Sequence, residues 1–306
     1  MNTKIKVIGV GGSGGNAILR MKKSNIKGVE LIAVNTDYQD LKKTRADVTI
    51  KIGGEITRGL GTGMNPKIGE MAARQDMEKI KKALVGADMV FITGGLGGGT
   101  GSGASPVIAE ISRALGILTV AIVTLPFSFE GRYRKRIANK SMKLLEKQVD
   151  ALLVIKNDKL LEVLTPQTPL LNAFWACDDI LREAVRGISD LILLPGILNV
   201  DFADVRSILK DSGTALFGIG KASGEKRAEE AVGMALRSPL LDLSLDGAKG
   251  VLFNVSGSDI GLSEIEEIGK IITQKINPKA KVIFGAAQNE KLKKGEIKIT
   301  VIVTGF

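Results

Sequence analysis

A glycine-rich loop reads Gly94-Gly95-Leu96-Gly97-Gly98-Gly99-Thr100-Gly101-Ser102-Gly103. It follows an apolar run, Met89–Thr93, which predicts a buried strand, and it precedes Ala104–Leu115, whose periodicity predicts a helix. Glycine-rich segments lose much backbone entropy on folding, so a plain flexible linker is a poor explanation between two buried elements. The backbone N–H groups of such a loop, together with the hydroxyls of Thr100 and Ser102, can surround a phosphate group and donate hydrogen bonds to it.

A second glycine-rich loop lies near the N-terminus and reads Gly9-Val10-Gly11-Gly12-Ser13-Gly14-Gly15-Asn16. It follows the predicted strand Ile5–Val10, and we expect a helix to open at Asn16. The helix N-terminus would add positive potential for an anion. Its glycine spacing fits the dinucleotide-binding fingerprint, whereas the Gly-Lys-Ser/Thr ending of a P-loop is missing. The sequence therefore predicts two phosphate-binding loops in one domain.

The N-terminal half alternates apolar runs rich in Val and Ile with amphipathic stretches. The predicted strands are Ile5–Val10, Val29–Val34, Val48–Ile52, Met89–Thr93, Leu118–Thr124 and Leu152–Ile155. The clearest predicted helices between them are Ile68–Val85 and Arg132–Gln148. Continuous apolar strands alternating with helices predict a doubly wound, Rossmann-like α/β domain with a parallel sheet, which binds ligands at the carboxyl ends of its strands.

A long helix is predicted from about Pro169 to Leu193, because its apolar residues recur at helical spacing and Pro195-Gly196 follows. A smaller α+β pattern resumes near Val200. Its predicted strands are Ala215–Ile219, Val251–Val255, Val282–Gly285 and Ile297–Val303, and its predicted helices are Ala228–Leu236 and Ser263–Gln274. The predicted organisation is an α/β domain over residues 1–168, a central helix with its following loop over 169–199, and an α+β domain over 200–306.

Composition narrows the possible chemistry. The chain has 306 residues, no histidine and a single cysteine, Cys177. The absence of histidine excludes His-assisted nucleophilic catalysis, and one thiol fits a reducing, cytoplasmic compartment better than a disulfide-bonded one. The formal net charge is +10. Its Lys and Arg residues are spread over many segments without a recognisable nucleic-acid module, so we expect only nonspecific, salt-sensitive attraction to polyanions.

Several motifs together resemble the FtsZ branch of the tubulin/FtsZ family of GTPases. The run Gly97-Gly98-Gly99-Thr100-Gly101-Ser102-Gly103 matches the family signature. The resemblance continues after the second strand, after the fifth strand and after the long helix, in the segments Asn35–Leu41, Pro126–Arg132 and Asn199–Val205. It covers almost the whole chain. It departs from the usual pattern at Ser13, Asp179 and Leu125, and in the strongly basic charge.

The resemblance implies that the chain binds GTP and GDP. Phosphate contacts are implied for Gly11, Gly12, Ser13, Gly14, Gly15, Asn16, Gly97, Gly98, Gly99, Thr100, Gly101, Ser102 and Gly103. Glu130 and Arg134 would face the ribose and phosphates, and Asn16 and Asn157 would complete the base and sugar contacts. Phe174 would lie against the base, while Asp178, on the same helix face, would accept hydrogen bonds from guanine. No metal ligands are predicted among the side chains, and Mg²⁺ would be carried mainly by the phosphates.

The resemblance also assigns catalysis to Asn199, Asp201 and Asp204. From Asp178 to Leu193 the predicted helix spans roughly 22 Å at about 1.5 Å per residue, so this group would not reach the nucleotide of its own chain. It would instead complete the site of the next subunit in a head-to-tail filament. We therefore expect a GTPase whose activity depends on assembly into the filaments of the cell-division ring.

Partners and location follow from the same resemblance. We expect the chain to bind itself in a homopolymer, to meet other division-ring proteins, and to act in the cytoplasm at the division site, without specific nucleic-acid binding or membrane insertion. Binding to membrane tethers would need a C-terminal tail beyond Phe306.

Two alternatives remain open from the sequence. One is a tubulin-like paralogue that forms a structural or DNA-segregating filament without turnover, although the carboxylates of Asp201 and Asp204 are present. The other is an NAD-dependent oxidoreductase, against which the second glycine loop and the lack of histidine argue.

Overall fold

The computed structural model describes residues 3–306, apart from 163, 166, 194, 195, 197, 199, 239, 240, 242–246, 290 and 291. Its contacts divide the chain into two compact units, Met1–Arg186 and Gly187–Phe306. The division falls inside the long helix. It neither confirms nor contradicts the predicted domain bounds at residues 168 and 199, which stay predictions. No helix among the described residues is long and apolar enough to cross a membrane.

The first unit contains a parallel sheet of six strands. They are β1 (Ile5–Val10), β2 (Val29–Asn35), β3 (Val48–Lys51), β4 (Met89–Gly95), β5 (Leu118–Leu125) and β6 (Ala151–Lys156). The spatial order is β3-β2-β1-β4-β5-β6, and each neighbouring pair is parallel. This order reverses between β1 and β4, which is the point where doubly wound sheets open a ligand crevice. The predicted α/β fold class is confirmed.

The helices of the first unit cover this sheet. They are α1 (Gly11–Ser24), α2 (Tyr38–Lys43), α3 (Gly54–Thr57), α4 (Pro66–Gln75), α5 (Met77–Leu84), α6 (Thr100–Ala114), α7 (Arg132–Glu146), α8 (Asn157–Leu160) and the long helix α9 (Leu170–Leu193). A short 3₁₀ turn covers Ser128–Glu130. The core between the layers is built from the Val and Ile residues of the strands and the apolar faces of the helices.

Three helix predictions were wrong in their bounds. The first helix begins at Gly11 rather than Asn16, and α6 begins at Thr100 rather than Ala104. Glycine disfavours helix locally, but packing of these turns against the sheet outweighs that preference. The predicted helix Ile68–Val85 is two helices, α4 and α5, because Asp76 leaves helical geometry between them and its carboxylate accepts from the N–H of Gly53 at 2.7 Å.

The second unit contains a mixed sheet of four strands in the order β7-β10-β8-β9. They are β7 (Gly213–Ser223), β8 (Gly250–Gly257), β9 (Lys281–Gln288) and β10 (Glu296–Thr304). β10 pairs antiparallel with β7 and with β8, while β8 and β9 are parallel. The helices are α10 (Phe202–Leu209), α11 (Arg227–Leu236) and α12 (Leu262–Thr273), and the last two help to bury one apolar core. The predicted α+β pattern is present.

Close packing of α4 on α6 depends on a glycine. A Cβ atom at Gly103 would lie 2.0 Å from the carbonyl oxygen of Pro66 and 2.6 Å from the backbone nitrogen of Glu70. Both are backbone atoms of α4, so neither can move aside without moving the helix. Gly103 was predicted to bind phosphate, and its position gives it a packing role between two helices.

Gly103→Ala is therefore expected to destabilise the protein by about 1–3 kcal/mol, the usual range for overpacking a core. Urea unfolding of the nucleotide-free protein measures this change. Gly54→Ala serves as the control, because a Cβ at Gly54 would meet no atom within 4 Å. Equal stability of the two variants would contradict the packing role.

Candidate nucleotide site

A cavity of about 360 Å³ opens at the carboxyl ends of the strands in the first unit. Its lining comes from the ends of β1, β2, β4 and β5, the starts of α1 and α6, and the N-terminal half of α9. Twelve of the predicted binding residues line it: Gly11, Gly12, Ser13, Gly98, Gly99, Thr100, Gly101, Glu130, Arg134, Asn157, Phe174 and Asp178. Both predicted glycine loops thus reach one cavity at the switch point of the sheet.

The first glycine loop forms the first turn of α1. Gly11 has a φ of +72°, a left-handed conformation that side chains disfavour. Ser13, the departure from the family pattern, does not have a positive φ and fits the loop. The first turn carries no acidic residue, so the positive end of the helix dipole is not neutralised there.

The second glycine loop bends at Gly97, where φ is +112°, and then enters α6. Ser102 closes the bend by accepting a hydrogen bond from the N–H of Gly97 at 2.8 Å. Thr100 is held by a hydroxyl–hydroxyl contact with Thr36 at 2.8 Å. The first turn of α6 also lacks an acidic residue. Two helix N-termini therefore present backbone N–H groups to one cavity, which suits a ligand with more than one phosphate.

Six predicted binding residues do not line the cavity: Gly14, Gly15, Asn16, Gly97, Ser102 and Gly103. Four of them, Gly14, Gly97, Ser102 and Gly103, have packing or loop-shaping roles, while Asn16 is exposed. A Cβ at Gly14 would lie 2.6 Å from the carbonyl carbon of Gly9, so this glycine lets α1 pack on β1. Gly97 and Ser102 fix the bend of the second loop through their hydrogen bond, without lining the cavity. The loop sequence predicted the motif, but it did not separate residues that face a ligand from residues that permit close packing.

The opposite end of the cavity contains Phe174 and Asp178, one turn apart on α9. Phe174 is 38% exposed and meets Phe127 edge-on at 5.4 Å between ring centroids. Asp178 is only 8% exposed, and its Oδ2 accepts from Nε of Arg20 at 3.3 Å. Arg20, on α1, also lies 3.6 Å from a carboxylate oxygen of Asp179. The resulting group offers a flat aromatic face and a carboxylate with one oxygen left for a ligand.

Burial raises the pKa of Asp178 to about 6, and the neighbouring charge of Asp179 adds to the rise, while Arg20 opposes it. A carboxylate that accepts two hydrogen bonds from a base must be ionised, so this site acts as an acceptor above that pH. Cys177 also lines the cavity, but burial raises the pKa of its thiol to about 12. The thiol is therefore neutral at physiological pH and is a poor nucleophile.

Polar side chains border the middle of the cavity. Glu130 accepts from Nη1 of Arg134 at 3.1 Å and from the backbone N–H of Phe127 at 2.9 Å, so its position is fixed. Asn157 is 5% exposed, and its Oδ1 is buried without a hydrogen-bond partner. An unpartnered buried acceptor is costly unless a ligand satisfies it. Asn157 therefore points to a ligand with a hydroxyl or N–H donor at this place.

The cavity includes residues that the sequence prediction did not assign. Asn35 ends β2 and Asp37 and Asp40 follow it, while a second set comes from the turn at Gly61–Met64. Asp40 accepts from the amide of Asn35 at 3.0 Å. Their signals were visible in the sequence, since polar residues at the end of a strand and a run of alternating glycines both mark a ligand crevice.

Asp201 and Asp204 belong to the second unit, at the N-terminus of α10. Asp201 is the N-cap and accepts from the N–H of Ala203 at 3.2 Å, and both side chains are exposed. Asn199 lies outside the described residues. N-capping alone accounts for the position of Asp201, so the geometry of α10 does not by itself assign a catalytic role.

Comparison with known families identifies the family of the chain. Residues 4–165 match the model of the Tubulin/FtsZ family, GTPase domain, and residues 213–306 match that of the FtsZ family, C-terminal domain. The chain belongs to the tubulin/FtsZ family. It is a GTPase of that family and binds GTP and GDP, so the oxidoreductase alternative is rejected.

Individual members of the tubulin/FtsZ family are also similar over their length. The chain is 52% identical to Cell division protein FtsZ 1 of Thermococcus kodakarensis, over 100% of this chain and 81% of that protein. The solved M. jannaschii structure described as an empty FtsZ dimer has a TM-score of 0.96 and 48% identity, covering 100% of this chain and 89% of that one. CetZ2 of Haloferax volcanii shares the fold, with a TM-score of 0.83 at 21% identity, over 98% of this chain and 92% of that one.

The buried carboxylate predicts a stability cost. Because the pKa of Asp178 is raised from 3.8 to about 6, the unfolded chain ionises first as pH rises, so stability present below pH 4 is lost through pH 6. Asp178→Asn keeps an acceptor for Arg20 without the charge. This variant is expected to be more stable at neutral pH, by up to about 2–3 kcal/mol at roughly 1.4 kcal/mol per pKa unit. Urea unfolding of nucleotide-free protein between pH 4 and 8 checks this, and a gain that is independent of pH would contradict it.

Proposed function

We propose that GTP binds in the cavity of the first unit with its phosphates between the starts of α1 and α6. The observation that carries this proposal is the meeting of two glycine-rich helix N-termini at the β1–β4 switch point. Gly11, Gly12 and Ser13 would hold one part of the triphosphate, and Gly98, Gly99, Thr100 and Gly101 the other. The other predicted residues of the two loops would hold the loops in position rather than touch the phosphates. They are Gly14, Gly15, Asn16, Gly97, Ser102 and Gly103.

The base and ribose would occupy the far end of the cavity. Phe174 offers an aromatic face for the base, and Asp178 would accept from the two N–H donors on the Watson–Crick edge of guanine. Adenine presents no such pair of donors, so this carboxylate would provide selectivity. Glu130, Arg134 and the unpartnered Oδ1 of Asn157 would meet the ribose hydroxyls and phosphates, and the lining of the cavity by all three residues supports this.

Mg²⁺ would be held mainly by the phosphates of GTP. Among the described residues, no group of three or more acidic or thiol side chains is placed to hold a metal ion. Asp40 and Glu130 border the cavity, but each already accepts hydrogen bonds within the protein. The ion would supply charge neutralisation on the phosphates.

Hydrolysis is proposed to require two chains. The residues that line the cavity all belong to the first unit, whereas Asp201 and Asp204 are exposed in the second unit. Together with Asn199 they would orient water at the nucleotide of a neighbouring subunit in a head-to-tail filament, a heterologous contact that does not close. The name FtsZ dimer for a similar M. jannaschii structure supports self-association.

In the cell, the chain is proposed to form the filaments of the division ring, as the name of the Thermococcus relative suggests for that protein. Other division-ring proteins would be its partners, and the cytoplasmic division site its location. A filament that segregates DNA is the weaker alternative, since no observation in either unit favours it.

Gly98 gives the cleanest test of the phosphate site. A Cβ at Gly98 would meet no protein atom within 4 Å, yet this residue lines the cavity. Gly98→Val is expected to lower GTP affinity by at least about 2 kcal/mol, the value of one hydrogen bond to a charged group, with unchanged unfolding. Gly101→Val is less suitable, because its Cβ would lie 2.7 Å from the carbonyl oxygen of Gly95. Titration with GTP measures the affinity, and Gly54→Val is the control variant. Equal GTP affinity of Gly98→Val and Gly54→Val would refute the proposed phosphate site.

Guanine selectivity is tested by comparing GTP with ITP, which lacks the 2-amino donor. Wild type is expected to bind GTP more tightly than ITP by roughly 1.5–3 kcal/mol, and Asp178→Asn to lose most of that difference. Isothermal titration at pH 7.5 gives the four affinities of this cycle. Discrimination by the variant equal to that of wild type would assign the 2-amino contact elsewhere.

The two-chain site is tested by complementation. Asp201→Asn keeps the N-cap of α10, so a loss of turnover would come from the charge rather than from stability. Both Asp201→Asn and Asp204→Asn are expected to bind GTP normally and to lose most phosphate release. Mixing either with Gly98→Val should restore part of it, because some interfaces would combine one intact cavity with one intact acidic pair. Phosphate release that stays proportional to protein concentration, with no assembly threshold, would count against a shared site.

A further inference from the structure

A groove of about 680 Å³ lies on the first unit between α4, α6 and α7. One wall is a stripe along α7, which we call the α7 stripe: Tyr133, Arg136, Ile137, Lys140, Leu144 and Lys147. These residues follow helical spacing of i, i+3, i+4, i+7, i+11 and i+14, so they lie on one face. From Tyr133 to Lys147 the stripe is roughly 20 Å long. Tyr133 and Leu144 are about half exposed, which leaves apolar surface between the cations.

The cations of the α7 stripe have no acidic partner in the described part of the chain. Arg136 lies over the ring of Tyr133 at 5.4 Å, and neither it nor Lys140 nor Lys147 is in an ion pair there. Arg136 and Lys140 are four residues apart, and like charges at that spacing destabilise a helix. Basic residues occur throughout the sequence, but several of them lie together on one face of α7, where no described acidic side chain is paired with them.

The opposite wall is electrically different. Arg74 on α4 is held by Glu70 and by Glu110 of α6, each at 3.2 Å. The carboxylates on this wall are matched in number by Arg74 and Lys67, so the net positive charge of the groove lies along the α7 stripe and does not cover both walls as a nucleic-acid surface would require. Alternating cations and apolar side chains instead match the face of an amphipathic helix with acidic residues.

The groove reaches the back of the second glycine loop. Pro106, in its wall, has no N–H to donate to the carbonyl of Ser102, and the hydroxyl of Ser141 on α7 donates there instead at 2.6 Å. The hydroxyl of the same Ser102 accepts from the N–H of Gly97 and fixes the bend of the loop. A single buried serine therefore contacts α7 through its carbonyl and the nucleotide loop through its side chain.

We propose that the α4–α6–α7 groove docks an acidic amphipathic helix of a partner protein, and that docking is coupled to the nucleotide site through Ser141 and Ser102. The partner's apolar residues contact Tyr133 and Leu144, and its carboxylates meet Arg136, Lys140 and Lys147. This surface goes beyond the proposed GTPase function, and its docking does not depend on that function.

The docking test uses a fluorescent synthetic peptide of about 18 residues, long enough for a helix, with Leu and Glu on one face. Nucleotide-free protein is expected to bind it more tightly than a scrambled peptide or poly-glutamate of equal length. Arg136→Glu combined with Lys140→Glu should weaken binding roughly tenfold, and Leu144→Ser should weaken it too. Lys82→Glu on α5, an exposed cation outside the groove, is the control and should change nothing.

Three results would overturn docking: equal binding of poly-glutamate, insensitivity to the double charge reversal, or displacement of the peptide by duplex DNA at physiological salt. Binding that survives only in a self-associated protein would assign the groove to a second copy, which also overturns the proposal.

The coupling test measures peptide affinity with and without saturating GDP, which avoids turnover. By linkage, GDP affinity must change by the same factor when peptide is present. We expect a change of about threefold or more, within the usual range for coupled sites. Ser141→Ala should bind the peptide as before but lose the coupling. Peptide binding with no effect of GDP would support docking and overturn the coupling, and coupling that persists in Ser141→Ala would overturn the route through Ser102.

Discussion

The convergence of two helix N-termini at one switch point is the constraint on which the nucleotide site depends. α1 and α6 start at the ends of β1 and β4, which are neighbours in the sheet. Side chains at the contact would force these elements apart, since a Cβ at Gly14 would meet the backbone of Gly9 and one at Gly101 would meet that of Gly95. Glycines therefore bring the two positive helix ends close enough to share one anion.

The same geometry explains how much of the fold could be predicted from the sequence. Strands such as Ile5–Val10 were predicted to the residue because buried parallel strands are continuous apolar runs. The starts of α1 and α6 were missed because intrinsic propensity penalises glycine, whereas the sheet and neighbouring helices hold these turns in place. The break at Asp76 was missed because its bond to Gly53 joins residues that are distant in sequence.

The sequence predicted what kind of site this is, but it predicted only some of the residues that line the cavity. Motif spacing located both glycine loops, and the family resemblance pointed to the pair of Phe174 and Asp178. Asn35 and the turn at Gly61–Met64 also line the cavity, and they went unassigned although polar residues at a strand end and alternating glycines were visible in the sequence. Motif spacing could not find the pairing of Arg20 with Asp178, which are 158 residues apart. Local sequence indicates where the backbone requires glycine. Contacts between side chains that are distant in sequence depend on the fold and cannot be predicted from local sequence.

Asp178 illustrates why such a contact matters. A carboxylate buried beside an aromatic ring pays a desolvation cost, and Asp179 adds like charge, so the pKa rises. Arg20 opposes that rise and lies with its guanidinium 5.1 Å from the ring of Trp175, which restricts its position. Because Arg20 stands on α1, the helix that begins with the first glycine loop, the base end and the phosphate end of the cavity are connected by one helix. A shift of α1 would therefore also move the cation beside Asp178, so in the proposed site the two ends of the nucleotide would be recognised together.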